Sequence, residues 1–257
     1  MDKMYLDWPV VTAQNVFGVV RELGIKPWKE ARPNMPLSAW LSTANDADRA
    51  VYERFGPKPE VQFLMPPASA VHTSPSSTIT AYGKEDIFFR MVYRPWVTVF
   101  ALIPGTDVEQ YVPLTAEWKQ GNRLITLVPP SGVRGKAEAD MDLLMAMHTT
   151  AAREFHEEVG IKLARPALLG PQNGFWDQVR GTELSFFPFL GRLEEFIERG
   201  PSKLDKNEFL KLVLFPLQEW LALLEHGGLE EGFALESCAV TTTYLALRAL
   251  GKLQLLP

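Results

Sequence analysis

Residues 153–161 read Arg-Glu-Phe-His-Glu-Glu-Val-Gly-Ile, three glutamates and an arginine packed into little more than two helical turns. Like charges four apart weaken a helix by a few tenths of a kcal/mol, so the string needs either solvent or a counter-ion. At 100° of rotation per residue, Leu144, Met147, Ala151 and Phe155 form one apolar stripe, the face that packs on a core. Glu154 falls at the edge of that stripe and Glu158 projects between Met147 and Ala151. Glu157, four residues after Arg153, is within reach of an ion pair. His156 projects to the wet side. A solvated face is the ordinary reading of a charge run, but these acids border the buried side, where an unpaired carboxylate is costly. A divalent cation removes the difficulty, because hard ions choose carboxylate oxygens. Gly160 suits the left-handed residue that stops a helix, and Ile161 can fold back onto it.

The surrounding pattern predicts what this helix packs on. Runs 86–93, 96–103, 123–128, 183–190 and 209–215 are rich in β-branched and aromatic residues bounded by turns, and read as strands. Pro188 within one of them suggests an edge or a bulge. Helical spacing is expected over 12–24, 38–56, about 140–159, 216–227 and 234–251. Residues 66–78, rich in Pro and Ser without periodicity, read as a linker or surface loop. Mixed strands interrupted by one helix and closed by terminal helices imply an α/β sandwich, with helices on a mixed sheet. Residues 1–80 are expected to be a partly helical extension and 81–257 the main domain.

Bulk properties narrow the function classes. A net charge of −5 argues against a nucleic-acid or membrane-surface binder, which shows a basic face. No apolar run reaches the roughly 18 residues of a membrane span, and the acids in the first ten residues do not resemble a secretory leader. A single cysteine, Cys238, fits a reducing cytoplasm.

Arg153, Glu154, Phe155, Glu157, Glu158, Gly160 and Ile161 match the second half of the Nudix box, so the chain resembles hydrolases of nucleoside diphosphates linked to another group. Gly132 and Glu138 stand at the spacing of the first half of that signature. Fourteen residues separate Glu138 from Arg153 where the family has seven. Were the surplus helical, it would turn the pattern by only about 20° but set the helix start about 10 Å further back, out of reach for Glu138. The segment 204–247 is similar to the tail of ADP-ribose and nucleotide-sugar pyrophosphatases.

The resemblance implies a Nudix-type α/β/α sandwich, an Mg²⁺ cofactor with Mn²⁺ as alternative, a small-molecule nucleoside diphosphate derivative as substrate, and a homodimer. It implies that Glu154, Glu157 and Glu158 hold the metal with the Ser131 carbonyl, and that Arg153 orients Glu157. The general base is either Glu154 or Glu208 of the acidic loop, with Asp205 as second choice. Arg94 and Arg180 are candidate diphosphate-binding cations, and Trp176 in "NGFWD" is a candidate base-stacking platform, although arginines and aromatics serve exposure and packing more often. The competing reading is a non-catalytic nucleotide-binding module. A coenzyme A diphosphatase is the weaker enzyme option, because that group's additional motif is not found.

Overall fold

A computed structural model describes residues 3–25, 77–82, 88–105, 109–119, 124–177, 182–194, 200, 210–226, 230 and 232–255. In chain order the strands are β1 (Met4–Tyr5), β2 (Trp8–Pro9), β3 (Ser77–Tyr82), β4 (Phe88–Tyr93), β5 (Trp96–Ala101), β6 (Ile103–Pro104) and β7 (Gln110–Lys119). They continue with β8 (Leu124–Val128), β9 (Ser131–Val133), β10 (Ala167–Leu168), β11 (Phe175–Asp177), β12 (Thr182–Gly191), β13 (Leu210–Pro216) and β14 (Phe233–Leu235). The helices are α1 (Val16–Glu22), α2 (Leu143–Val159), α3 (Leu217–His226) and α4 (Ser237–Ala249). The expected helix over 38–56 and residues 66–76 of the expected loop lie outside the described residues, while Ser77 and Thr78 belong to β3.

Contacts divide the chain into two units. The first comprises residues 1–25, 95–175 and 185–257; the second comprises 26–94 and 176–184. In the second unit β3 runs antiparallel to β4, and Thr182 and Glu183 pair in parallel with Met91 and Val92.

The first unit is a layered α/β structure. One sheet places β5 between β12, which runs parallel to it, and β9, which is antiparallel; β10 pairs with the other edge of β12. The second sheet is built on β7, flanked by β13, β6 and β8, with β14 parallel to β8. Residues alternate along a strand between the two faces of its sheet, and β5 shows why that matters here. Val97, Val99 and Ala101 join the buried cluster of Met147, Ala151 and Phe155 from α2. Phe100 joins the cluster of Ala239, Ala246 and Leu247 from α4. Helices therefore cover both faces of β5, as expected of an α/β sandwich.

Residues 3–25 belong to this core. Val10 bridges Leu214 in parallel, the Val11 N–H donates to the Leu214 carbonyl at 2.8 Å, and Val16, Phe17 and Val20 are buried with Trp220 and Phe233. Gly24, at φ +73°, marks the end of α1 as its sequence predicts.

Two strand readings need correction. Pro188 is not at an edge: β12 is paired on both sides, and the Pro188 carbonyl accepts from the Leu169 N–H at 2.9 Å. The missing N–H of proline is tolerated because its carbonyl carries the pairing. The stretch 110–119, not anticipated as a strand, is the centre of the second sheet; Tyr111 to Ala116 are all buried, so it shows no alternation.

Candidate active site

The glutamate helix starts where its cap dictates. The Asp142 carboxylate accepts the Met145 N–H at 3.1 Å, satisfying one of the donors a helix start leaves open. The helix thus begins at Leu143, three residues later than the expected start near 140. Met147, Ala151, Phe155 and Val159 are fully buried on the sheet, each large side chain contributing about 1.5–3 kcal/mol by burial. Gly160 takes the left-handed conformation at φ 72°, its N–H donates to the His156 carbonyl at 2.8 Å, and Ile161 is buried behind it.

That face carries the acids inward with it. Glu154 is 7% exposed and Glu158 5%, whereas Glu157 is half-buried. His156, expected on the wet side, is half-buried, and its Nδ1 is buried without a hydrogen-bond partner.

Arg153 is the hub of the cluster. Its Nη1 lies 2.8 Å from Glu154 Oε1 and donates to Glu157 Oε2 at 2.8 Å. Its Nε donates to Glu138 Oε1 at 3.0 Å, and Nη2 donates to the Val133 carbonyl at 3.1 Å. Burial works against the guanidinium charge, but Glu154, Glu138 and Glu157 more than offset it and hold its pKa above the ordinary value. Glu158 Oε2 accepts the Ser131 N–H at 3.1 Å.

The turn before the helix is shaped to these side chains. A Cβ at Gly132 would overlap the Glu154 carboxyl group, and one at Gly135 would stand 2.5 Å from Glu138 Oε2. Neither glycine has the positive φ that favours glycine, so each is there for space.

Glu138 corrects the expectation that the surplus residues would carry it away. It is 2% exposed and bonded to Arg153, while Oε2 is buried without a hydrogen-bond partner. The surplus does not simply lengthen the helix. Residues 137–140 form turns, with the Met141 N–H on the Glu138 carbonyl at 3.2 Å, and the Arg134 guanidinium grips this segment (below).

Lys119, which sequence reasoning missed, stands at the end of β7. Its Nζ is 2.6 Å from Glu117 and 3.7 Å from Glu236, the residue before α4. Burial would lower its pKa, but Glu117 and Glu236, with a smaller effect from Glu158, raise it above the ordinary lysine value. No local signal pointed to it, because its strand went unread.

Glu208, Asp205 and Arg180 lie outside the described residues. Arg94 and Trp176 belong to the second unit, where Arg94 is half-buried and Trp176 is 53% exposed.

Among the described residues, no three His, Cys, Asp or Glu side chains form a ready group for a metal ion. The donor set nonetheless fits a hard cation in kind. Its side-chain donors are all carboxylate oxygens, Glu154 and Glu158 are under a tenth exposed, and the neighbouring Glu138 has an unpartnered buried oxygen. The glycine at 132 keeps open the space that Glu154 fills.

The sequence matches no protein-family model, and no curated protein is similar to it at a significant level. Among solved structures, the crystal structure of an ADP compounds hydrolase aligns with 69% of this chain and 97% of that one, at 18% identity and a TM-score of 0.47. At that level of likeness, function has to be argued from the residues themselves.

Proposed function

We propose that this chain is a Nudix-type hydrolase that splits the diphosphate linkage of a nucleoside diphosphate joined to another group, with ADP-ribose and nucleotide sugars as the first candidates. The observation that carries this reading is the gathering of Glu138, Glu154 and Glu157 on Arg153, beside Gly132 and the Glu158–Ser131 bond. Glu138, matched by spacing alone, bonds to Arg153 across the surplus segment expected to separate them.

Glu154, Glu157 and Glu158 would hold Mg²⁺ or Mn²⁺, with the Ser131 carbonyl as a neutral donor. A bound divalent ion supplies charge neutralisation for the diphosphate oxygens and an acidified water. Arg153 fixes the orientation of Glu157 and Glu154 rather than touching substrate. Lys119 adds positive charge on the Glu158 side of an otherwise acidic centre, where an anionic substrate needs it. The water oxygen bonds to one phosphorus, the bridging P–O bond breaks, and its proton passes to Glu154 or Glu208. Two phosphate-bearing products leave.

One observation favours the second reading, a nucleotide-binding module without turnover: among the described residues the carboxylates are organised on Arg153 and not already grouped for a cation. Phosphate-coupled hydrolysis of ADP-ribose and a nucleotide-sugar panel, with and without Mg²⁺, separates the two. Metal-dependent cleavage that Glu158→Gln abolishes supports the hydrolase. Tight nucleotide binding without turnover across the panel supports the module.

A further inference from the structure

Arg134 makes more backbone contacts than any role in the matched signature asks of it. Its Nε and Nη2 donate to the Glu138 carbonyl at 3.0 and 2.8 Å, and Nη2 also reaches the carbonyls of Ala139 at 2.7 Å and Met141 at 2.8 Å. Its own N–H donates to the Pro95 carbonyl at 3.1 Å, which anchors it beside β5. The gripped carbonyls belong to Glu138 and to the first part of the surplus between Glu138 and Arg153. They are bonded by a guanidinium whose planar fork can serve several acceptors at once. The same Glu138 turns its side chain to Arg153 Nε at 3.0 Å, with its second oxygen buried against Gly135.

We propose that Arg134 is a positioning residue: by clamping the 138–141 carbonyls it folds the surplus segment into a turn, and so holds Glu138 on Arg153 and Arg153 on Glu154 and Glu157. The value of the proposal for catalysis rests on the reading of these glutamates as a cation site. The clamp itself does not.

The chain of contacts runs in one direction. Arg134 fixes the backbone of Glu138, Glu138 fixes Arg153, and Arg153 fixes two of the acids on α2. Without the clamp, the Glu138 carbonyl keeps the 3.2 Å turn bond from the Met141 N–H but loses the guanidinium. The Glu138 carboxylate is then free to leave the guanidinium for water. A lysine at 134 offers one point charge in place of the fork and restores only part of the grip.

Two readouts test this on the full chain, comparing Arg134→Ala and Arg134→Lys with the parent. The first is solvent exchange of the Arg153 Nε–H followed by NMR, which reads the bond to Glu138 without any metal. The second is Mn²⁺ binding followed by electron paramagnetic resonance. We expect Arg134→Ala to speed exchange of that proton at least tenfold and to weaken Mn²⁺ binding by a similar factor, with Arg134→Lys in between. A merely structural loss would lower thermal stability in both variants without this graded change at Arg153. If Arg134→Ala does not fold, Arg134→Lys carries the test through the same two readouts. Parent-like exchange of the Arg153 proton in a folded variant overturns the clamp. A parent that binds no Mn²⁺ overturns the metal reading instead, and the clamp is then judged on the Arg153 proton alone.

Discussion

A single methyl group at Gly132 should separate the stability of this protein from its activity. The Cβ of Gly132→Ala would overlap the carboxyl carbon and both oxygens of Glu154. Backbone strain does not enter, because Gly132 does not occupy the positive-φ region and lies in β9 opposite Val97. The collision is therefore purely one of space. Overpacking a filled site costs typically 1–3 kcal/mol, but here the obstacle is the end of a side chain with three rotatable bonds. Relief comes when Glu154 swings off the turn and loses its 2.8 Å contact with Arg153. That places the stability cost near the lower bound, about 1 kcal/mol, or a Tm drop of roughly 2–4 °C for a chain of this size.

Activity is expected to respond much more strongly. Displacing a group that must sit within about 1 Å of its place costs on the order of 100-fold, and Glu154 is moved further than that. The measurement is thermal unfolding alongside Mg²⁺-dependent hydrolysis of whichever panel substrate the parent cleaves. Gly18→Ala is the control. Nothing lies within 4 Å of its added methyl and it sits inside α1, so it should stabilise by roughly 0.5–1 kcal/mol through helix propensity and leave turnover unchanged. Gly132→Ala with parent-like turnover would refute the reasoning, since Glu154 would then have moved without consequence. A loss of many kcal/mol would refute the swing.

Other perturbations follow from the same geometry. Arg153→Ala strands Glu138, which is 2% exposed; removing one partner of a buried pair costs about 3 kcal/mol, read as a fall in denaturation midpoint, and a loss under 1 kcal/mol would show that water replaces the guanidinium. Arg153→Met combined with Glu138→Leu should regain only part of that stability and no activity, because an apolar pair replaces the buried Glu138 bond while Glu154 still loses its 2.8 Å contact with the guanidinium. Glu109 is bonded to Lys3 at 2.8 Å and to the Tyr111 hydroxyl, which hold its pKa below the ordinary 4.5. A depressed carboxyl stabilises the fold above that ordinary value and loses its contribution as pH falls through the depressed one. The stability gap between the parent and Glu109→Gln should therefore be full at neutral pH and shrink below pH 4.5; a gap independent of pH contradicts this. Trp176→Ala should leave stability within about 0.5 kcal/mol, as for an exposed side chain, and a larger fall in thermal unfolding would show that the indole packs against its surroundings.

What the sequence made legible was whatever a periodic pattern encodes. The stripe of Met147, Ala151 and Phe155 located the buried face of α2, and the placement of Glu154 and Glu158 beside it followed from rotation alone. The glycine stop at 160 was equally local. By contrast, β7 is buried from Tyr111 through Ala116 and contains Pro113, so neither alternation nor a clean β-rich run marked it. With that strand went Lys119, whose partners Glu236 and Glu158 come from other elements and whose role only tertiary structure defines.

The surplus before Arg153 shows both limits in one segment. Its helical boundary was legible: Asp142 ahead of an apolar run is a capping signal, and reading it would have placed the start of α2 at Leu143 and ruled out a simple helical extension back to Glu138. The conformation of 138–142 was not legible, because it depends on one guanidinium bonding to backbone carbonyls that every residue type possesses. Unlike a helix cap, a guanidinium bonded to loop carbonyls leaves no mark on composition or spacing. A count of residues between Glu138 and Arg153 therefore measured contour length, while the distance that matters to the site, 3.0 Å between Arg153 Nε and Glu138 Oε1, is set by how Arg134 folds that length.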